Sequence, residues 1–457
     1  MRPVIPGFHP DPSICRVGDT FYVACSSFAY APGVPVFAST DLRQWKQVGN
    51  ALAAPALEGT DGWSSLGVYA PTLRYHEDRF WMITTIVAKT GTRTFFVTAA
   101  DAAGPWSEPV DVDVPGIDPD LYWDDDGRCW VHSSAADGIV RTEINTKTAK
   151  VVAAPEPTWS GTGLSCPEAP HVYQRGGWFY LLIAEGGTER GHCVSIARSR
   201  TPQGPWEGCP SNPVYSHRSL SDPVQNTGHA DLVEHADGRW SMVLLGVRPL
   251  GIPPGFHALG RETFLADVKW VDDWPVVTLV DGPDSNDGYT ECFDAPLGPE
   301  WVALRALPRH STGSGLRLDS GFVARRQQHH HVTVKTVVEL GSASEAGLRI
   351  QVEDHYGYEI AVDAERVLVR ARVGGFVQIL AEQSRGAGPV ELCLQTRPSA
   401  TLGPDDIWFG LGQGWLAHAD GRFLTTEVAG GFTGRVIGVY ADDGTATFAS
   451  YAYAPTT

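Results

Sequence analysis

Gly177-Trp178-Phe179-Tyr180 closes a turn and opens an aromatic strand, and the same event recurs at Asp19-Thr20-Phe21-Tyr22, Asp78-Arg79-Phe80-Trp81, Gly127-Arg128-Cys129-Trp130 and Gly238-Arg239-Trp240-Ser241. Aligned on Phe21, Phe80, Cys129, Phe179 and Trp240, the recurrences are 59, 49, 50 and 61 residues apart. That is the span of a four-stranded propeller blade. Ten or eleven residues ahead of the anchors stand Asp11, Ala70, Asp118, Glu168 and His229. Equivalent positions in a radially repeated fold face one axis, so three acids and a histidine far apart in the chain are expected to meet at the mouth of a central channel.

The chain has 457 residues, too many for one ordinary core, and its 50 glycines and 33 prolines are scattered among 10% aromatics. This composition predicts an all-β protein of many strands and turns, in two or three domains. A net charge of −18 argues against nucleic acid, which is held by clustered Lys and Arg. The eight cysteines include no CxxC pair, so neither a disulfide framework nor a zinc ribbon is expected. Met1-Arg2-Pro3-Val4-Ile5-Pro6 lacks the apolar core of a signal peptide, and no apolar run approaches membrane-spanning length. The expectation is a cytoplasmic protein with no membrane partner, or a secreted one if a leader has been removed. A homo-oligomer is left open.

The strand-and-turn repeat runs over residues 1–283 and predicts the five-bladed propeller. Gly104-Pro105-Trp106 and Gly204-Pro205-Trp206 recur within it, with Asp41-Leu42-Arg43-Gln44-Trp45 in the same slot of the first blade. These tryptophans read as packing anchors between blades. Turn formers from Val280 to Gly288 mark a linker. Over residues 288–457, alternating runs such as Val332-Thr333-Val334-Lys335-Thr336-Val337-Val338 predict a second domain, an antiparallel β-sandwich of jelly-roll type. In Gln327-Gln328-His329-His330-His331, read as a strand, successive histidines face opposite ways, which argues against a shared metal ion.

Asp11 stands between prolines in Pro10-Asp11-Pro12, which stiffen the backbone beneath it, and Asp118 is likewise followed by Pro119. Glu168 sits among small and apolar neighbours in Cys166-Pro167-Glu168-Ala169-Pro170. Desolvation raises a carboxyl pKa and a second carboxylate beside it raises it further, so Glu168 near Asp118 is set to stay protonated while Asp11 ionises. Two acids in opposite protonation states are what glycoside hydrolysis requires.

Four segments then resemble glycoside hydrolase family 43, in its β-xylosidase and α-L-arabinofuranosidase branch. They are Pro6-Gly7-Phe8-His9-Pro10-Asp11-Pro12-Ser13, Glu168-Ala169-Pro170-His171, Ala184-Glu185-Gly186-Gly187-Thr188 and Leu259-Gly260-Arg261-Glu262-Thr263. Ala324-Arg325-Arg326-Gln327-Gln328-His329 and Gly431-Phe432-Thr433-Gly434 extend the similarity into the second domain. The resemblance implies an exo-acting, inverting enzyme on xylo- or arabino-oligosaccharides, a five-bladed propeller with an appended sandwich, and a sandwich loop that helps close the pocket. It implies Asp11 as general base, Glu168 as general acid and Asp118 as the carboxylate that orients Glu168 and tunes its pKa. Arg261 would bind sugar hydroxyls, with Phe28, Tyr69, Ala70 and Thr188 lining the pocket. His229 would lie on the axis beneath the sugar. No cofactor is required; a calcium ion near His229 is the one candidate.

Two departures touch the sugar subsites. Tyr69-Ala70-Pro71 stands where such xylosidases have Trp-Ala-Pro, and Ala29-Tyr30-Ala31-Pro32-Gly33 replaces a bulkier stretch. Release of β-D-xylose is the leading reading. An α-L-arabinofuranosidase, a catalytically silent carbohydrate binder and a retaining hydrolase stay open beside it.

Overall fold

The computed structural model describes residues 1–284 and 287–456. Ser285 and Asn286 of the expected linker, and Thr457, lie outside the described residues. Helix is confined, among the described residues, to a 3-10 turn at Gly421–Leu424 and one four-residue α-helix at Thr426–Ala429.

Five antiparallel sheets follow one another through the first domain. Each begins with a strand near the axis: Ser13–Val17, Thr72–His76, Ile117–Trp123, Glu168–Arg175 and Gln225–Glu234. The second strands carry the aromatic anchors. Trp178–Glu185 shows why they read as continuous apolar runs: Tyr180 through Glu185 are buried in succession, covered on both faces by neighbouring blades. The two-residue turn before it, Gly176-Gly177, needs φ of 58° and 75°, which glycine adopts without steric penalty.

The anchors fill the layers between blades. Phe80 packs between the first and second, Cys129 between the second and third, Trp240 between the fourth and fifth, and Phe21 between the fifth and first. Trp45, Trp106 and Trp206 pack against these layers, as expected of anchors rather than sugar platforms. The ring closes where Ile14, Phe21 and Val23 meet Val233, Val243 and Leu265. The amides of Val4 and Ile5 donate to the Thr263 carbonyl across the same seam.

The second domain is a nearly closed sandwich formed from one twelve-stranded sheet. Its last strand, Val436–Pro455, runs through both layers. Its first part pairs with Leu316–Arg326 and Glu345–Glu353, and its last part with Val332–Glu339 and Tyr289–Glu291. The Gln327–His331 segment is a bend, not the strand its sequence predicts. The Gln327 carboxamide donates to the carbonyls of His329 and His330 and folds the segment back.

The two domains share an apolar layer in which Phe8, Phe28 and Tyr30 of the propeller meet Val302, Phe322, Leu368 and Tyr440 of the sandwich. A two-stranded ladder joins Tyr30–Ala31 to Ala303–Leu304. Arg305, paired with Asp354 at 2.8 Å, also donates to the Thr60 carbonyl at 2.7 Å.

Candidate active site

The innermost strands of the third, fourth and fifth blades slip register by one residue between Ile117 and Asp120, Glu168 and His171, and Gly228 and Asp231, the fifth having a further slip between Gln225 and Gly228. The residue inside each slip turns left-handed: Asp118 at φ 53°, Ala169 at 54° and His229 at 45°. Asp11 in the first blade has the same φ, 56°. Such bulges re-aim side chains toward the channel mouth.

Turn length corrects the expected phase of Glu168. The third and fifth blades carry longer hairpin turns, pairing Trp123 with Cys129 and Glu234 with Trp240, whereas the fourth pairs Arg175 with Trp178 across two residues. The count of ten that suits the two-residue turns of the first and second blades reaches Ala169 in the fourth, and the count of eleven that suits the third and fifth overshoots it by one. Ala169 is the equivalent of Asp11, Ala70, Asp118 and His229, and Glu168 occupies the position of Tyr69 and Ile117. Both positions face the pocket, so Glu168 still joins the other acids.

Asp11, Asp118, Glu168, Phe28, Tyr69, Ala70, Thr188, His229 and Arg261 all line one pocket of about 110 Å3, together with Ile117 and Phe432. The last two were not anticipated as site residues. Ile117 would have followed from the corrected phase, and Phe432 lies in the quoted Gly431-Phe432-Thr433-Gly434 motif.

Asp11 is buried and held from two sides. The Ser26 hydroxyl donates to Oδ2 at 2.5 Å and Arg261 Nη1 to Oδ1 at 2.8 Å, while His229 Nδ1 lies 3.5 Å from Oδ1. Burial pushes its carboxyl pKa upward, but Arg261, then His229 and Ser26, outweigh it and hold the group below the usual carboxylate range. Glu168 moves the other way. Burial first, then the nearby charges of Asp118 and Asp11, raise its carboxyl well above the ordinary value. Asp118 is raised by burial and by Asp11. It accepts a hydrogen bond at 3.3 Å from the amide of Ala169, the residue after Glu168, and so fixes the backbone that carries the acid.

Arg261 does not pair with Glu262, which instead accepts from Arg248 at 2.7 Å and 3.0 Å. Its guanidinium spans the site, donating to Asp11, to Thr188 Oγ1 at 3.1 Å and to the Phe432 carbonyl at 3.4 Å. The sandwich thus supplies part of the wall. The Phe432 ring packs on Phe28 at 6.1 Å and edge-on to Tyr69 at 6.0 Å, and its amide donates to Ser65 Oγ at 2.7 Å.

Below the pocket, Arg74 of the second blade reaches all four other blades. It donates to Ser13 at 3.3 Å, Asp120 at 2.6 Å, His171 at 2.9 Å and Asp231 at 2.8 Å. Asp231 also accepts from Ser13 and Tyr173. Burial would raise the Asp231 carboxyl, but Arg74, with His171 and Tyr173, outweighs it and lowers it to about 2. Nothing in the sequence marked Arg74, because its four partners are scattered over more than 200 residues. His229 is kept neutral by burial, its pKa lowered to about 4. Among the described residues no three His, Cys, Asp or Glu side chains converge as ligands of one ion.

The profile described as glycosyl hydrolases family 43 matches residues 1–275, and that of the beta-xylosidase C-terminal concanavalin A-like domain matches residues 294–454. The chain is 46% identical to a xylosidase/arabinosidase of Butyrivibrio fibrisolvens, over 98% of this chain and 97% of that protein. It is 36% identical to a non-reducing end alpha-L-arabinofuranosidase of Bacteroides ovatus, over 96% and 90%. Among solved structures, the xylan beta-1,4-xylosidase from Bacillus halodurans C-125 superposes with a TM-score of 0.88 at 30% identity, covering 99% of each chain.

Proposed function

The chain belongs to glycosyl hydrolase family 43, and from that premise we propose that it removes single pentoses from the non-reducing end of an oligosaccharide, β-D-xylose first among them, with inversion at the anomeric carbon. The observation that carries this reading is one small pocket on whose wall Arg261 holds the Asp11 carboxyl below the usual range while burial and Asp118 raise that of Glu168 well above it. Its volume of about 110 Å3 is well under the roughly 300–1,000 Å3 of pockets that take drug-sized ligands, which suits one sugar ring. Phe432 closes it from the sandwich side, which suits a chain end.

Glu168 gives its proton to the glycosidic oxygen as the carbon–oxygen bond breaks. Asp11 takes a proton from the water that attacks the opposite face of the anomeric carbon, so the two carboxyls exchange charge states in one turnover. Asp118 acts through Glu168: its hydrogen bond to the Ala169 amide orients the acid, and its charge helps keep that acid protonated. Arg261 keeps Asp11 ionised and ties the base to the Phe432 wall.

A second substrate has specific support. Relatives named for xylosidase and for arabinofuranosidase activity both match the chain across nearly its whole length, and the two pentoses offer similar hydroxyl patterns. The deciding assay follows 4-nitrophenyl β-D-xylopyranoside and 4-nitrophenyl α-L-arabinofuranoside by proton NMR. Faster xyloside cleavage with α-xylose as the first-formed anomer is expected. β-Xylose appearing first would replace inversion by retention, and inertness toward both substrates would overturn the proposal.

A further inference from the structure

Two clefts lie side by side along the seam between propeller and sandwich, sharing Val4, Pro6, Trp45 and Gln328. In a chain of net charge −18 both are lined by cations, but on different terms. In one, every arginine is engaged: Arg2 with Asp281 and Asp284, Arg248 with Glu262, and Arg43 with the Asp281 carbonyl. In the other, a cleft of about 260 Å3, Arg326 is not.

Arg326 is only 5% exposed, yet among the described residues no carboxylate pairs with it, and its Nε and Nη2 have no hydrogen-bond partner. Its guanidinium lies over the Phe8 ring at 4.7 Å. A ring face offsets only part of the loss of hydration, and a buried charge without a counter-charge is strongly unfavourable. Burial pulls its pKa down to about 10, so it remains a cation at neutral pH. Lys46 and Arg325 line the same cleft. Glu291, 3.4 Å away, and the Tyr289 ring, at 3.9 Å, take up much of Arg325. Glu300 is the acid on the wall. The cleft therefore keeps an excess of positive charge at its buried end.

We propose that this cleft binds a small oxyanion, a phosphate or a carboxylate, that supplies the counter-charge Arg326 lacks, with Lys46 as its second cationic contact. Nε and Nη2 are themselves closed to solvent, so the oxyanion would be held through the remaining Arg326 nitrogen and by charge attraction rather than by a paired contact. The site is distinct from the sugar pocket and does not depend on how that pocket is read.

The test is thermal unfolding of the full chain titrated with sodium phosphate or sodium glucuronate, with ionic strength held constant by sodium chloride. A ligand that binds only the folded state raises the melting temperature saturably. A saturable rise with phosphate alone would identify a phosphate site, and one with glucuronate alone a sugar-acid site. In Lys46→Gln the half-saturating concentration should rise about tenfold, the loss of one charge-assisted contact, and in Arg326→Met the response should vanish. If Arg326→Met does not fold, the Lys46→Gln shift decides. No saturable response to either anion, or one unchanged in the variants that fold, overturns the proposal.

Discussion

Replacing Arg261 by glutamine tests the electrostatic core of the site. Arg261 Nη1 lies 2.8 Å from Asp11 Oδ1 and is foremost among the groups that oppose burial there. An opposite charge at such range lowers a carboxyl pKa by about 1–3 units, and each unit corresponds to about 1.36 kcal/mol. With the guanidinium gone, burial prevails and the Asp11 pKa should climb. A base must be ionised to act, so activity exists above its pKa, and raising that pKa removes activity from the acid side. Arg261 also lowers the Glu168 pKa, though less than burial and the neighbouring carboxylates raise it, so the alkaline limb should drift upward by a smaller amount. The assay is kcat/KM on xylobiose across a broad pH range. The acid limb is expected to shift upward by about 1–3 units, with the variant recovering part of its loss as pH rises. A uniform fall with both limbs in place would mean that Arg261 only binds sugar, and would refute the assignment of Asp11 as an arginine-stabilised base.

Four further outcomes follow from the same geometry. Glu168→Ala should lower turnover of xylobiose by about 10²–10⁴-fold and that of nitrophenyl xyloside far less, since a good leaving group needs little protonation; equal losses on both would reassign the acid. Asp118→Asn removes a charge that raises the Glu168 pKa, so the alkaline limb of kcat/KM should move to lower pH, and an unmoved limb would leave Asp118 a backbone role alone. Phe432→Ala strips ring contacts with Phe28 and Tyr69, each worth about 0.5–1.5 kcal/mol; KM should rise about tenfold with kcat less affected, and an unchanged KM would remove the sandwich from the site. Arg74→Met leaves Asp120 and Asp231 buried without their cation, which should cost about 3–5 kcal/mol of stability in chemical denaturation; a loss under ~1 kcal/mol would show that the axial network is not a tie between blades.

The blades were legible in the chain because turn, anchor and strand are written within a dozen adjacent residues, and those local preferences repeat with the fold. Gly176-Gly177 and the apolar run from Tyr180 dictate a hairpin whatever surrounds them. The acids were legible for the same reason, each marked by prolines or small apolar neighbours. What the chain left open was the pairing across each hairpin, and there a count of ten or eleven residues back from the anchor placed Glu168 one residue out of phase with Asp118. Nor could it show that Arg261 chooses Asp11 over adjacent Glu262, that Arg74 joins five blades, or that Phe432 crosses from the second domain to the first. Those are choices among partners far apart in the chain, settled by distance and burial once the ring has closed. Sequence fixes local conformation through neighbouring side chains, whereas the pairing of charges is decided only where the fold has removed water and left one partner within reach.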